Sequence, residues 1–316
     1  MPRRVVLDTD PGIDDALAIL LALASPEIEL AGVSVTGGNC SLSDGVRNAL
    51  NVLAIGGRPD LPVFPGVALP LLRPPFTAPL THGDAGLGYA RLSDSPTPPA
   101  NEHAVDMIIR EIMAAPGEVT LVAVAPLTNV ALAVRKEPRI AEAVHEVIIM
   151  GGALRAEGNT SPLAEFNFYV DPHAAHIVLH SGMPITLLPW DITKDVLLMQ
   201  ADVDRLIQID SPIGRFVADA TRFYLEFHEA YFGFAGCSVN DPVAVALVFL
   251  PELARTESLH VDIETASELT IGKSVCDFLG KSGHEPNARV VLDFDSARFI
   301  ALFVERMERF MRRVKG

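Results

Sequence analysis

Cysteine is scarce in this chain of 316 residues: Cys40, Cys237 and Cys276 are an odd number, far apart, with no Cys-x-x-Cys spacing. That argues against a disulfide framework and a cysteine-based zinc site, and leaves small buried apolar residues as their expected role. Long apolar runs are missing too. The longest uninterrupted one, residues 16–24, is far too short to span a bilayer, so the mean hydropathy of +0.30 reads as buried helices and strands. Positive charge is in deficit. Lys and Arg number 25 against 40 Asp and Glu, and the net −15 opposes a nucleic-acid backbone and suits a small neutral or cation-assisted substrate. Only three apolar residues separate the basic start from Asp8, too few for the apolar core of a signal peptide, so a cytoplasmic location is expected. No repeat, low-complexity tract or interdomain linker interrupts the sequence, and one domain over 1–316 is expected.

What is present is concentrated near the start. Val5-Val6-Leu7 reads as a buried strand, and it runs directly into Asp8-Thr9-Asp10-Pro11-Gly12-Ile13-Asp14-Asp15-Ala16. The apolar pattern from Ala16 to Leu23 predicts a helix, which places Asp14 and Asp15 in its first turn. Asp14 alone would be an ordinary first-turn acid. Asp8, Asp10, Asp14 and Asp15 together, at the carboxyl end of a strand, are expected to form a site. Like charges this close repel unless a cation, a proton or solvent relieves them. An all-oxygen donor set favours calcium or magnesium over zinc.

The rest of the chain alternates strand and helix. Strands are predicted at 28–35, 63–64, 119–124, 144–150, 184–188, 260–263 and 289–292, with helices at 43–55, 102–114, from 125–129, from 171–172, across 201–234, at 243–249 and from 296. This is the pattern of an α/β fold: a single domain with a mostly parallel, doubly wound (Rossmann-like) sheet, helices on both faces and a helix-rich C-terminal part. Arg306, Arg309, Arg312 and Arg313 on the last helix are expected to face solvent.

Weaker signals lie at other strand ends. Gly37-Gly38-Asn39 would let backbone approach a ligand and offers an amide to a hydroxyl, although alone it is an ordinary turn. Residues 69–99 form a long Pro-rich loop carrying His82 among glycines, a candidate lid. Asn159, Glu165 and Asn167 are hydroxyl-binding types in a segment with no strong pattern, and Asp241 by itself is an N-cap. Phe216, Phe223, Tyr224, Phe227, His228, Tyr231, Phe232 and Phe234 form an aromatic stripe, mostly core, part of which could stack on a flat ring.

Taken in order, Asp-Thr-Asp-Pro-Gly-Ile-Asp-Asp-Ala at 8–16, Gly-Gly-Asn at 37–39, Ala-Pro-Leu-Thr-Asn at 125–129, Met-Gly-Gly-Ala at 150–153, Ala-Glu-Phe-Asn at 164–167 and Asn-Asp-Pro at 240–242 resemble the inosine-uridine preferring nucleoside hydrolases over nearly the whole chain. The resemblance implies a Ca2+ ion held by Asp10, Asp15, Asp241 and the Val124 carbonyl, with Asp10 as general base toward water. It implies ribose contacts from Asp14, Asn39 and Asn167, and from Asn159 and Glu165 at the 5′ end. It also implies a ribonucleoside substrate and a homodimer or homotetramer. The chain departs from the pattern at Asn240, where many members carry a histidine as candidate leaving-group acid. An amide cannot give up a proton near neutral pH, so His82, His228 or Tyr231 would take that part, His82 first. Two other readings compete. One is a haloacid dehalogenase-type phosphohydrolase, with Asp8 as the nucleophile of its Asp-x-Asp. The other is a silent ribonucleoside-binding protein.

Overall fold

Three β-branched or leucine side chains in a row suit a strand buried on both faces, and Arg3–Thr9 (β1) lies inside the sheet. The computed structural model describes residues 1–233 and 235–314. Beyond β1 the sheet contains Ile28–Val35 (β2), Val63–Pro65 (β3), Val119–Ala123 (β4), Glu146–Met150 (β5) and Ile185–Leu188 (β6). Their order is β3-β2-β1-β4-β5-β6, followed by Ala288–Phe294 and then Ala254–Leu259. All neighbours are parallel except the last pair.

The chain winds outward from β1 through β2 to β3, then crosses back to β4 on the other side. The crevice opens at that reversal, beyond the carboxyl ends of β1 and β4. Thr9 ends β1 and Ala123 ends β4, so Asp10 and Val124 are delivered to the same place. Apolar cores cover both sheet faces. The helix Ile13–Ala24 is buried at every position from Ile13 to Ala22, so its apolar character on all sides reflects a helix enclosed between the sheet and its neighbours.

Most predicted elements are present, with informative exceptions. The 69–99 segment is not all loop: Pro79–His82 forms one helical turn with His82 at its end. The segment around Asn159 to Phe168 holds a short helix, Phe166–Val170. Pro126 precedes its helix, which starts at Thr128. The strand expected at 260–263 is present as Val261–Ile263, which pairs with Ser274–Cys276 outside the main sheet, while Ala254–Leu259 before it, at the edge of the main sheet, is a strand the pattern does not predict. Arg306 does not simply face solvent. Its guanidinium makes two bonds to Glu27, at 2.6 and 2.7 Å, and covers the Phe249 ring. Cys40 and Cys237 are buried free thiols, whereas Cys276 is half-buried. No helix among the described residues is long and apolar enough to cross a membrane. Phe234 lies outside the described residues.

Candidate active site

Beyond β1 the backbone turns sharply, and Asp15 organises that turn. Its carboxylate accepts from the amides of Asp10 (3.1 Å) and Gly12 (3.0 Å), from the Thr9 hydroxyl and from Asn39 Nδ2 (2.9 Å). The Asn39 backbone N–H in turn donates to Asp10 Oδ2 at 2.6 Å. That approach requires glycine beside it, because a Cβ on Gly38 would stand 2.0 Å from Asp10 Oδ2. The glycines after β2 therefore admit the protein's own groups: Gly38 the Asp10 carboxylate, and Gly37 the Ala68 carbonyl.

Asp14 accepts from Asn240 Nδ2 at 2.8 Å and from the Tyr224 hydroxyl. Asp241 joins from the first turn of the Asn240–Leu247 helix. Asp14, Asp15 and Asp241 each offer an oxygen, and the three atoms lie within 4.8 Å of one another. Asp10 stands beside this trio, and its Oδ1 is buried without a hydrogen-bond partner. All four carboxyls are pushed above the ordinary range, first by burial. Asp15 is the next largest influence on Asp10, and Asp14 on Asp241, because like charges oppose ionisation. No lysine or arginine is found among the described residues that line the cavity above them.

The residues fit a hard cation. Calcium–oxygen distances of about 2.3–2.6 Å put ligands on opposite sides of the ion about 5 Å apart, which matches the spread of Asp14, Asp15 and Asp241. Val124 lines the cavity at the end of β4, and its carbonyl accepts Asn167 Nδ2 at 3.0 Å, leaving a second lone pair.

Asp8 is not part of the group. It is fully buried, its Oδ1 accepts from the Ser34 hydroxyl and from Asn129 Nδ2 (2.9 Å), and burial pushes it up to about 6. Asp8 is thus held by neutral donors apart from the other acids, which counts against the phosphohydrolase reading that needed Asp8 as nucleophile.

The cavity holds about 480 Å³, the size of a small-molecule site. Asp14, Asn39, His82, Asn159, Glu165, Asn167, His228, Tyr231, Asn240 and Asp241 all line it, and Asp10 and Asp15 do not. Glu165 caps the Phe166–Val170 helix, accepting from the amides of Gly152, Asn167 and Phe168. Burial outweighs those bonds and raises it to about 7. Asn159 Oδ1 accepts the Phe166 amide at 2.9 Å.

His82 Nδ1 accepts the Ile13 amide at 3.1 Å, which leaves Nε2 to carry the proton. Burial lowers its pKa to about 4, so the ring is neutral near pH 7. Both nitrogens of His228 are engaged within the protein: Nδ1 donates to the Tyr224 carbonyl and Nε2 pairs with the Ser238 hydroxyl, each at 2.8 Å. Tyr231 is 62% exposed and packs against Phe227, with ring centres 4.7 Å apart. Tyr224 and Trp190 also line the cavity, though sequence alone did not single them out for the site. For Tyr224 the signal was the helical spacing 224, 227, 228, 231, which sets one face of the Pro212–Phe232 helix toward the crevice.

A sequence model described as inosine-uridine preferring nucleoside hydrolase matches residues 5–301. The chain belongs to that family. Nucleoside hydrolases hydrolyse the N-glycosidic bond of ribonucleosides, and the chain is an enzyme of that kind with an acidic cluster that could hold a metal ion. It is 38% identical over 309 residues to the pyrimidine-specific ribonucleoside hydrolase RihA of Salmonella gallinarum, covering 98% of this chain and 99% of the relative. Among solved structures it resembles a purine-preferring ribonucleoside hydrolase from Gardnerella vaginalis (TM-score 0.94, 32% identity, covering 98% of this chain and all of that one). It also resembles a plant nucleoside hydrolase (TM-score 0.92, 34% identity, covering 98% and 99%).

Proposed function

We propose that the chain is a calcium-dependent ribonucleoside hydrolase in which Asp10 takes a proton from the attacking water. The observation that carries this reading is the set of four buried carboxylates at the β1–β4 reversal, with no cationic side chain among the described residues lining the cavity above them. Asp10, Asp15, Asp241 and the Val124 carbonyl would hold the ion. When bound, calcium would orient the ribose diol and make the water more acidic. The unpartnered Asp10 Oδ1 suits a base, and the hold of Asn240 and Tyr224 on Asp14 keeps that acid toward the sugar.

In the reaction the bond from ribose C1′ to the base nitrogen breaks, and the water oxygen takes its place. Positive charge grows on the sugar as the base leaves, and Asp14 and the neighbouring acids face it in a closed setting where such stabilisation is strong. Asn39 and Asn167 would grip the secondary hydroxyls, with Asn159 and Glu165 at the 5′ end.

The departing base gains an electron pair and needs a donor. His82 Nε2–H offers it a hydrogen bond, since Nδ1 is committed to Ile13; the ring is neutral near pH 7 and holds no proton to release, so the base takes its proton from solvent. Asn240 turns its NH2 to Asp14, and its Oδ1 is a buried acceptor without a partner, matched to a substrate N–H or O–H. The aromatic wall of Phe227, Tyr231 and Trp190 presents no charge, so a neutral nucleobase fits it. The relatives named above are pyrimidine-specific in one case and purine-preferring in another, so base choice in this chain rests on that wall and on Asn240.

The test is reducing-sugar release from a panel of purine and pyrimidine ribonucleosides, with calcium and again after chelation. Calcium-dependent release from any of them is expected. No release from any, with calcium binding intact, would turn the reading to a silent binder.

A further inference from the structure

We propose that the chain carries a second cation site, for a divalent transition ion of the zinc type, formed by His176, His180 and Asp262. His176 lies in the helix Pro172–Leu179 and His180 is its C-cap, so the two imidazoles stand four residues apart on one face. Asp262 comes from the strand Val261–Ile263 packed beside that helix. His176 Nδ1 is 3.0 Å from Asp262 Oδ1, and His180 Nε2 is 3.9 Å from the same oxygen. One ligand atom from each of the three lies within 4.8 Å of the others. Tetrahedral zinc, with bonds of about 2.0–2.2 Å to nitrogen and oxygen, needs donor atoms about 3.3–3.6 Å apart, so small side-chain adjustments close the site.

The hydrogen bonding already selects the ligating atom on His180. Its Nδ1 sits 2.9 Å from the His176 carbonyl, and a carbonyl can only accept, so Nδ1 carries the hydrogen and Nε2 the lone pair. Imidazoles that bind metals are oriented in this way, by donating their other N–H to a fixed oxygen. His260 repeats the pattern, with Nδ1 3.0 Å from the Glu285 carbonyl, and its ring centre is 5.9 Å from that of His180.

None of these residues lines the catalytic cavity. The side chains are between one third and one half exposed, so an ion can reach them from solvent. Two imidazoles and one carboxylate select zinc, nickel or copper, whereas the all-acid cluster selects calcium. Bound there, the ion would clamp the Pro172–Leu179 helix to the Val261–Ile263 strand. That strand leads through a turn to Lys273, whose ammonium donates to the carbonyls of Ala153 and Leu154.

Calorimetric titration of the calcium-saturated protein with Zn2+ tests this, with Co2+ as a visible-absorption probe of coordination. One equivalent of zinc is expected to bind, weakened at least tenfold in both His180→Ala and Asp262→Asn, with ribonucleoside hydrolysis retained in His180→Ala. Circular dichroism of each variant verifies its fold. Unchanged zinc affinity and stoichiometry in both variants would overturn the proposal. So would zinc binding that survives in them but disappears in Asp241→Asn, because the ion would then sit among the catalytic acids. Failure of hydrolysis across the nucleoside panel leaves this titration unaffected, so the two proposals fail separately.

Discussion

Asp8 and Asp10 leave the same strand two residues apart and are both fully buried, yet they meet different neighbours. Around Asp8 stand neutral donors, the Ser34 hydroxyl and the Asn129 amide, and both favour the ionised form against burial. Around Asp10 stand Asp15 and Asp14, which push the same way as burial does. The difference shows what burial of an acid means. Where the fold supplies donors, the acid is a brace inside the structure. Where the fold supplies more acids, the arrangement is costly without a cation, and that cost is the mark of a functional site.

The sharpest way to break the comparison is Asp10→Asn. If Asp10 is the base, turnover should fall roughly 10²- to 10⁴-fold while the protein stays folded. Without calcium the variant should melt no lower than the parent, because a buried like charge has gone. Near-normal kcat in this variant would exclude Asp10 as the base. Asp8→Asn should leave far more activity, and an equal loss there would erase the distinction.

Calcium itself gives the next largest effect. At a hundredfold excess over Kd it should stabilise the protein by about 2.7 kcal/mol. The sign of the pH dependence follows from the raised acids. Asp14 moves from 3.8 to about 6 and Glu165 from 4.5 to about 7. Between about pH 4 and pH 7 the folded metal-free protein therefore binds more protons than the unfolded chain, and its stability should fall as pH rises through that window. The ion needs deprotonated ligands, and Asp10, Asp15 and Asp241 are held above the ordinary range, so the calcium-induced rise in Tm should grow as pH rises. Melting curves at pH 4.5 and pH 7.5, with and without calcium, measure both trends; a calcium increment that shrinks as pH rises would contradict the assignment of Asp10, Asp15 and Asp241 to the ion.

Asn129→Ala probes the other half of the comparison. It strips a donor from Asp8 and an acceptor from the Val67 amide, which it meets at 3.0 Å. A loss of roughly 1–3 kcal/mol in urea unfolding is expected, with KM little changed. A large change in KM at unaltered stability would place the Asp8 network in the substrate site after all.

Much of this was legible before any coordinates. A strand that ends in several acids has few explanations, and the apolar period located β2 at the residues where it stands, 28–35. Illegible were features that depend on long-range partners. Asp8 and Asp10 look equivalent in sequence, and only Ser34 and Asn129, distant along the chain, separate them. The Pro79–His82 turn is too short for a periodic signal. The Phe166–Val170 helix is announced only by Glu165, a glutamate acting as N-cap, which is a weak cue beside Ser, Thr, Asp or Asn. The pairing of His176 and His180 with Asp262 spans more than eighty residues, so their spacing of four suggested nothing by itself.

The smallest effect is also the most selective. In His82→Asn the new side-chain oxygen can still accept the Ile13 amide, so the tie to the helix start is preserved while the Nε2–H donor is lost. A neutral hydrogen bond contributes about 1–1.5 kcal/mol, and its removal should slow natural ribonucleosides by roughly tenfold. A nitrophenyl riboside leaves as a stable anion and needs no donor, so its hydrolysis should scarcely change. Equal losses on both substrates would remove His82 from the leaving-group role. With Asn240 turned to Asp14 and both His228 nitrogens engaged within the protein, that result would direct attention to Tyr231 or to ordered water at the cavity mouth.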